Sequence, residues 1–76
     1  MPLIDIQVME GVFTDAEKAK MIETVTQGFG AVAGESMAKA TSVRIHEIKS
    51  GQWGYGGRPL TLEDARAIKE GTSSNG

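Results

Sequence analysis

No covalent or metal staple is available to this chain. Its 76 residues include no cysteine and a single histidine, so disulfides are excluded and a zinc site built by the protein alone lacks ligands. At this length the chain makes one small domain, and folding hides only about 60% of the surface that the unfolded chain exposes. Below roughly 70 to 80 residues a single core gives marginal stability unless a staple, a metal or partner subunits add to it. With the first two gone, self-association is the expected support. The sequence reads as one domain over residues 1–70, followed by a disordered tail over 71–76 that is small and polar.

Charge narrows the partners. Eight Lys and Arg against ten Asp and Glu give a net charge of −2, with both signs scattered along the chain. No basic stripe offers itself to phosphates, so nucleic acid is not an expected partner. The apolar runs are two or three residues long, and the amino end lacks the charged-then-apolar order of a secretory signal. Neither membrane insertion nor export is expected, and the cytoplasm is the expected location.

From Pro2 to Met9, Ile4, Ile6 and Val8 alternate with Asp5 and Gln7, a period of two that predicts a strand. Thr14-Asp15-Ala16-Glu17 then matches a capping box and predicts a helix start. Ile22, Val25, Phe29 and Val32 follow at spacings of three and four, which predicts a core stripe. Gly34 is the expected C-cap. After a polar connection, Thr41–Ile48 alternates again and predicts a second strand, with Val43 and Ile45 on one face and Arg44, His46 and Ile48 on the other. Strand, helix and strand fit a βαβ unit with parallel strands. Turn residues around Trp53 predict a short hairpin or loop, and Thr61-Leu62-Glu63-Asp64 predicts the cap of a last short helix with Leu62, Ala65 and Ile68 on one face.

Few residues suggest chemistry by themselves. Gly54-Tyr55-Gly56-Gly57 lacks the Lys-Ser/Thr and the long helix that a phosphate cradle needs. His46 has no second ligand and reads as a polar strand residue, and no metal site is expected. No serine has an oriented base in view. Pro2 stands out: removal of Met1 would expose a secondary amine. An ordinary α-amine has a pKa of roughly 7.7 to 8.0, and apolar surroundings lower it toward neutrality, where it can accept a proton. With Met1 in place the nitrogen is acylated and has no basic lone pair. Taken alone, Pro2 is also a tolerated residue at a strand start.

The combination of Pro2-Leu3-Ile4 opening a strand, Met9-Glu10-Gly11 ending it, a capped helix, and Lys49-Ser50-Gly51-Gln52-Trp53-Gly54-Tyr55-Gly56-Gly57 resembles the 4-oxalocrotonate tautomerase family in order and spacing. The resemblance spans Pro2 to about Leu60. It implies an α/β (α+β) chain of the β-α-β tautomerase fold, whose subunits pair into four-stranded sheet dimers and then a hexamer. It also implies a cofactor-independent isomerase. Pro2 would be the general base on a small enol or unsaturated 2-keto acid such as 2-hydroxymuconate, and Trp53 would stand where the family has an aromatic pocket wall.

The arginines of the resemblance fit less well. Val12 stands where the family has an arginine after Glu-Gly. On the second strand Arg44 is the available carboxylate anchor, although an ungapped alignment from Trp53 puts Ser42 at that position. Arg44 is equally readable as a surface residue paired with a carboxylate. Arg58 and Arg66 are further candidates. Two alternatives stay open: hydration or dehalogenation of an unsaturated acid, and a weakly active subunit that joins an arginine-bearing chain in a mixed hexamer.

Overall fold

The computed structural model describes residues 1–71, and the chain divides into two compact units. The first comprises Met1–Ile6 and Thr14–His46, the second Gln7–Phe13 and the chain from Glu47 onward. Of the expected tail, Gly71 is the C-cap of the last helix, and 72–76 lie outside the described residues.

Strands β1 (Leu3–Met9) and β2 (Ser42–Ile48) pair in a two-stranded sheet. The Ser42 N–H donates to the Pro2 carbonyl at 2.9 Å, and the Glu10 N–H to the Ile48 carbonyl at 2.8 Å. Start is bonded to start and end to end, so the strands run parallel and need a crossover between them. Exposure follows the expected period of two except at the end of β2, where Glu47 is exposed and Ile48, expected on the face of Arg44 and His46, is half-buried. Leu3 and Asp5 of β1 are exposed where Ile4 and Ile6 are half-buried, and Ser42, Arg44 and His46 of β2 are exposed where Val43 and Ile45 are half-buried.

The crossover in the first unit is α1 (Asp15–Ala33) followed by α2 (Glu35–Lys39). The capping box is formed: Thr14 Oγ1 accepts from the Glu17 N–H at 3.1 Å, and Glu17 Oε1 accepts from the Thr14 N–H at 2.8 Å. The expected core stripe needs correction. The half-buried residues are Glu17, Lys18, Met21, Val25, Thr26, Phe29 and Gly30, among which Lys18, Met21, Val25 and Phe29 recur at spacings of three and four. Ile22 lies about 100° around the helix from Met21 and is exposed, and Val32, in the last turn, is 92% exposed. The stretch read as a polar connection contains α2. It packs on α1 where Gly30 has no side chain: a Cβ there would lie 2.7 Å from the Ala38 Cβ.

In the second unit, β3 (Trp53–Tyr55) and β4 (Arg58–Leu60) form an antiparallel hairpin with Trp53 opposite Leu60. Its two-residue turn is Gly56-Gly57, with φ of +54° and +85°, the pair of positive values that a type I′ turn demands. These glycines therefore turn a hairpin. Helix α3 (Leu62–Glu70) starts at a second capping box, between Thr61 and Asp64. The buried core of this unit is Met9, Val12 and Leu60, with Phe13, Trp53, Leu62 and Ala65 packed against it.

Candidate active site

Pro2 and Arg44 fall in the first unit and Trp53 in the second. Pro2 is half-buried at the start of β1, held through its carbonyl by Ser42. Arg44 lies on the exposed face of β2, and among the described residues its guanidinium has neither a hydrogen bond nor an ion pair. The surface ion pair considered for it is not formed. The carboxylate on this face, Asp5, is instead 3.1 Å from His46 Nε2. That contact joins residues 41 apart in sequence, and the only local sign of it is that both occupy outward positions of their strands. Among the described residues no three His, Asp or Glu cluster to hold a metal ion.

Trp53, half-buried, walls a cavity of about 220 Å³ within the second unit. Val12, Phe13, Leu60, Ile68 and Lys69 share the lining. Val12 is buried, at 8% exposure, between Met9 and Leu60 in the core. A guanidinium in its place would be taken out of water without a charged partner, a substantial cost. The position that carries an arginine in the resembled family is thus a packing position here.

Two cations reach the neighbouring turn from α3. Arg66 Nη2 lies 3.4 Å from the Gly11 carbonyl, and Lys69 Nζ donates to the Val12 carbonyl at 3.0 Å while sitting 5.0 Å from the centre of the Phe13 ring. Arg66 therefore ties α3 to the turn. Lys69 was not legible as a site residue, because contacts spanning 57 positions leave no local pattern. Arg58 lies near Asp64, whose carboxyl is held below its ordinary value first by the Thr61 N–H, then by the Thr61 hydroxyl, with a smaller contribution from the Arg58 charge.

The family model described as tautomerase enzyme matches residues 2–63. The chain is similar to the crystal structure of YwhB, a homologue of 4-oxalocrotonate tautomerase, at 26% identity and a TM-score of 0.67, covering 75% of this chain and 90% of that one. It is also similar to DmpI from Helicobacter pylori, at 28% identity and a TM-score of 0.69, covering 78% and 95%. No curated protein matches it.

Proposed function

We propose that this chain, which belongs to the tautomerase enzyme family, is a keto-enol isomerase that uses Pro2 as general base on a small enol or unsaturated 2-keto acid of the 2-hydroxymuconate kind. The observation that carries this reading is the placement of Pro2 at the head of β1, its carbonyl pinned by Ser42, in the same unit as the unpaired guanidinium of Arg44. Once Met1 is removed, the proline nitrogen takes the enol hydroxyl proton, the electron pair shifts along the conjugated system, and the protonated amine returns the proton to carbon. Substrate and product share one formula, so no co-reactant is consumed. Arg44 is assigned to the substrate carboxylate, which a guanidinium grips bidentately, and Trp53 to the apolar wall. The working assembly is a homohexamer of single domains over residues 1–70, for which the small core and the resemblance both argue. Val12 keeps a mixed hexamer as the alternative.

The test follows ketonisation of phenylenolpyruvate or 2-hydroxymuconate by absorbance, on protein shown by mass spectrometry to begin at Pro2. Pro2→Ala should lower kcat about 10² to 10⁴-fold. Arg44→Ala should raise KM for the dicarboxylate about tenfold. Equal rates for wild type and Pro2→Ala would remove Pro2 from the mechanism. The Asp5–His46 pair, on the same outward side as Arg44, favours a second reading in which an imidazole oriented by a carboxylate activates water for addition to an unsaturated acid. That reading predicts a hydrated product, lost with His46→Ala and kept with Pro2→Ala.

A further inference from the structure

We propose that the Tyr55 hydroxyl is the oxyanion donor of the site, bonding to the substrate oxygen as that oxygen gives up its proton and becomes negative. The inference rests on the isomerase reading above and fills a step which that reading leaves without a residue. When Pro2 takes the enol hydroxyl proton, the oxygen carries the charge until the protonated amine returns the proton to carbon. A donor aimed at that oxygen lowers the barrier, because it bonds the charged state more strongly than the neutral substrate or product. Pro2 is the base and Arg44 is assigned to the carboxylate, so neither serves this oxygen. Val12 is a core residue and brings no polar group.

The chamber wall supplies the donor. Trp53 and Tyr55 are two apart on β3, so their side chains leave the same face of the strand, and both line the cavity of the second unit. The Gly56-Gly57 turn directly behind Tyr55 fixes where its ring starts, opposite Arg58. Trp53 is half-buried while Tyr55 is 65% exposed, which sets the indole inside and the phenol at the rim. Among the described residues the Tyr55 hydroxyl has no hydrogen bond within the chain, so its proton is available to a ligand. The lining holds two other polar side chains, Gln7 and Lys69. Lys69 Nζ is turned to the Val12 carbonyl at 3.0 Å and to the Phe13 ring centre at 5.0 Å. Gln7 offers a carboxamide N–H, a weaker acid than a phenol and so a weaker partner for an oxyanion. Tyrosine hydroxyls act in this way in other enolising sites. Nothing is transferred to Tyr55: the proton moves only between oxygen, Pro2 and carbon.

The test uses Tyr55→Phe, which keeps the ring and removes the hydroxyl, in the full chain processed to begin at Pro2. With phenylenolpyruvate, kcat should fall about 10 to 100-fold while KM stays nearly unchanged, the mark of a bond made only as charge develops. A second measurement needs no turnover. 4-Nitrophenolate presents an oxyanion on a planar apolar body, and 4-nitrotoluene is its counterpart without one. Wild type should bind the phenolate about tenfold tighter than Tyr55→Phe does, and the two proteins should bind nitrotoluene alike. The proposal is overturned by an unchanged kcat, by a KM that rises alone, by absence of saturable phenolate binding, by phenolate affinity that survives in Tyr55→Phe, or by equal losses for phenolate and nitrotoluene, which would mark a merely structural role. Were the chain inactive, the phenolate comparison decides by itself. The mechanism fails separately: a fully active Pro2→Ala removes Pro2 as the base and leaves the phenolate result untouched.

Discussion

Gly28 and Gly30 lie about 200° apart around α1 and face different surroundings. A Cβ at Gly28 meets nothing within 4 Å, whereas one at Gly30 would stand 2.7 Å from the Ala38 Cβ. Gly28→Ala should therefore stabilise by about 1 kcal/mol, the ordinary helix gain. Gly30→Ala should destabilise, because a rigid methyl cannot yield as a flexible side-chain tip can and overpacking costs about 1 to 3 kcal/mol. Thermal melts of the two variants should shift in opposite directions. Parallel shifts would deny that α2 presses on α1 at this point. The sequence shows both residues as weak points of a helix, but their difference depends on Ala38, in a helix too short to leave a periodic trace. Val12 is similar: in sequence it is a missing arginine, and only the packing of Met9 and Leu60 around it makes it a core residue.

Among the elements, α3 has the clearest pH signature. Asp64 accepts from the Thr61 N–H at 3.0 Å, and its own N–H donates to Thr61 Oγ1 at 3.1 Å. The Thr61 N–H, and after it the Thr61 hydroxyl, hold the carboxyl below its ordinary value of 3.8. For a depressed carboxyl the stabilising contribution is complete above the unfolded value and disappears as pH falls through the folded one. The start of α3 should thus hold its helical signals at pH 5 and lose them only below about 3.8, with Thr61→Ala moving the Asp64 titration upward. Carboxyl NMR checks this, and an Asp64 that titrates at its ordinary value in the wild type would refute it. Both capping boxes were readable because their chemistry lies within four residues. The hairpin was readable as a turn, while its I′ type depends on the signs of φ at Gly56 and Gly57.

For the whole molecule, the buried apolar residues among those described are Met9, Val12 and Leu60, and none of them is wholly shielded from solvent. Leu3, Ile22, Val32, Met37, Tyr55 and Ile68 are exposed large hydrophobics. A two-stranded sheet leaves an unpaired edge on each strand, and two strands rarely persist in water by themselves. The proposed assembly predicts that the folded state is concentration-dependent. Circular dichroism and native mass spectrometry should show dissociation and loss of structure on dilution toward nanomolar protein. A folded monomer that persists there defeats the argument. Length and cysteine count lead to the expectation of partners, and two periodicities make the strand-helix-strand order legible. Which half-buried positions a partner would cover was not visible, because the alternation of Ile4, Ile6, Val43 and Ile45 reads the same against a helix of the same chain or a neighbour's sheet.

Trp53 is the only tryptophan in the chain and forms part of the cavity wall. An indole's emission shifts in colour and yield with the polarity around it, so light absorbed by this residue reports on one place. The protein is its own optical gauge: filling or drying of that chamber changes its glow directly, with no label attached and no second tryptophan to blur the signal.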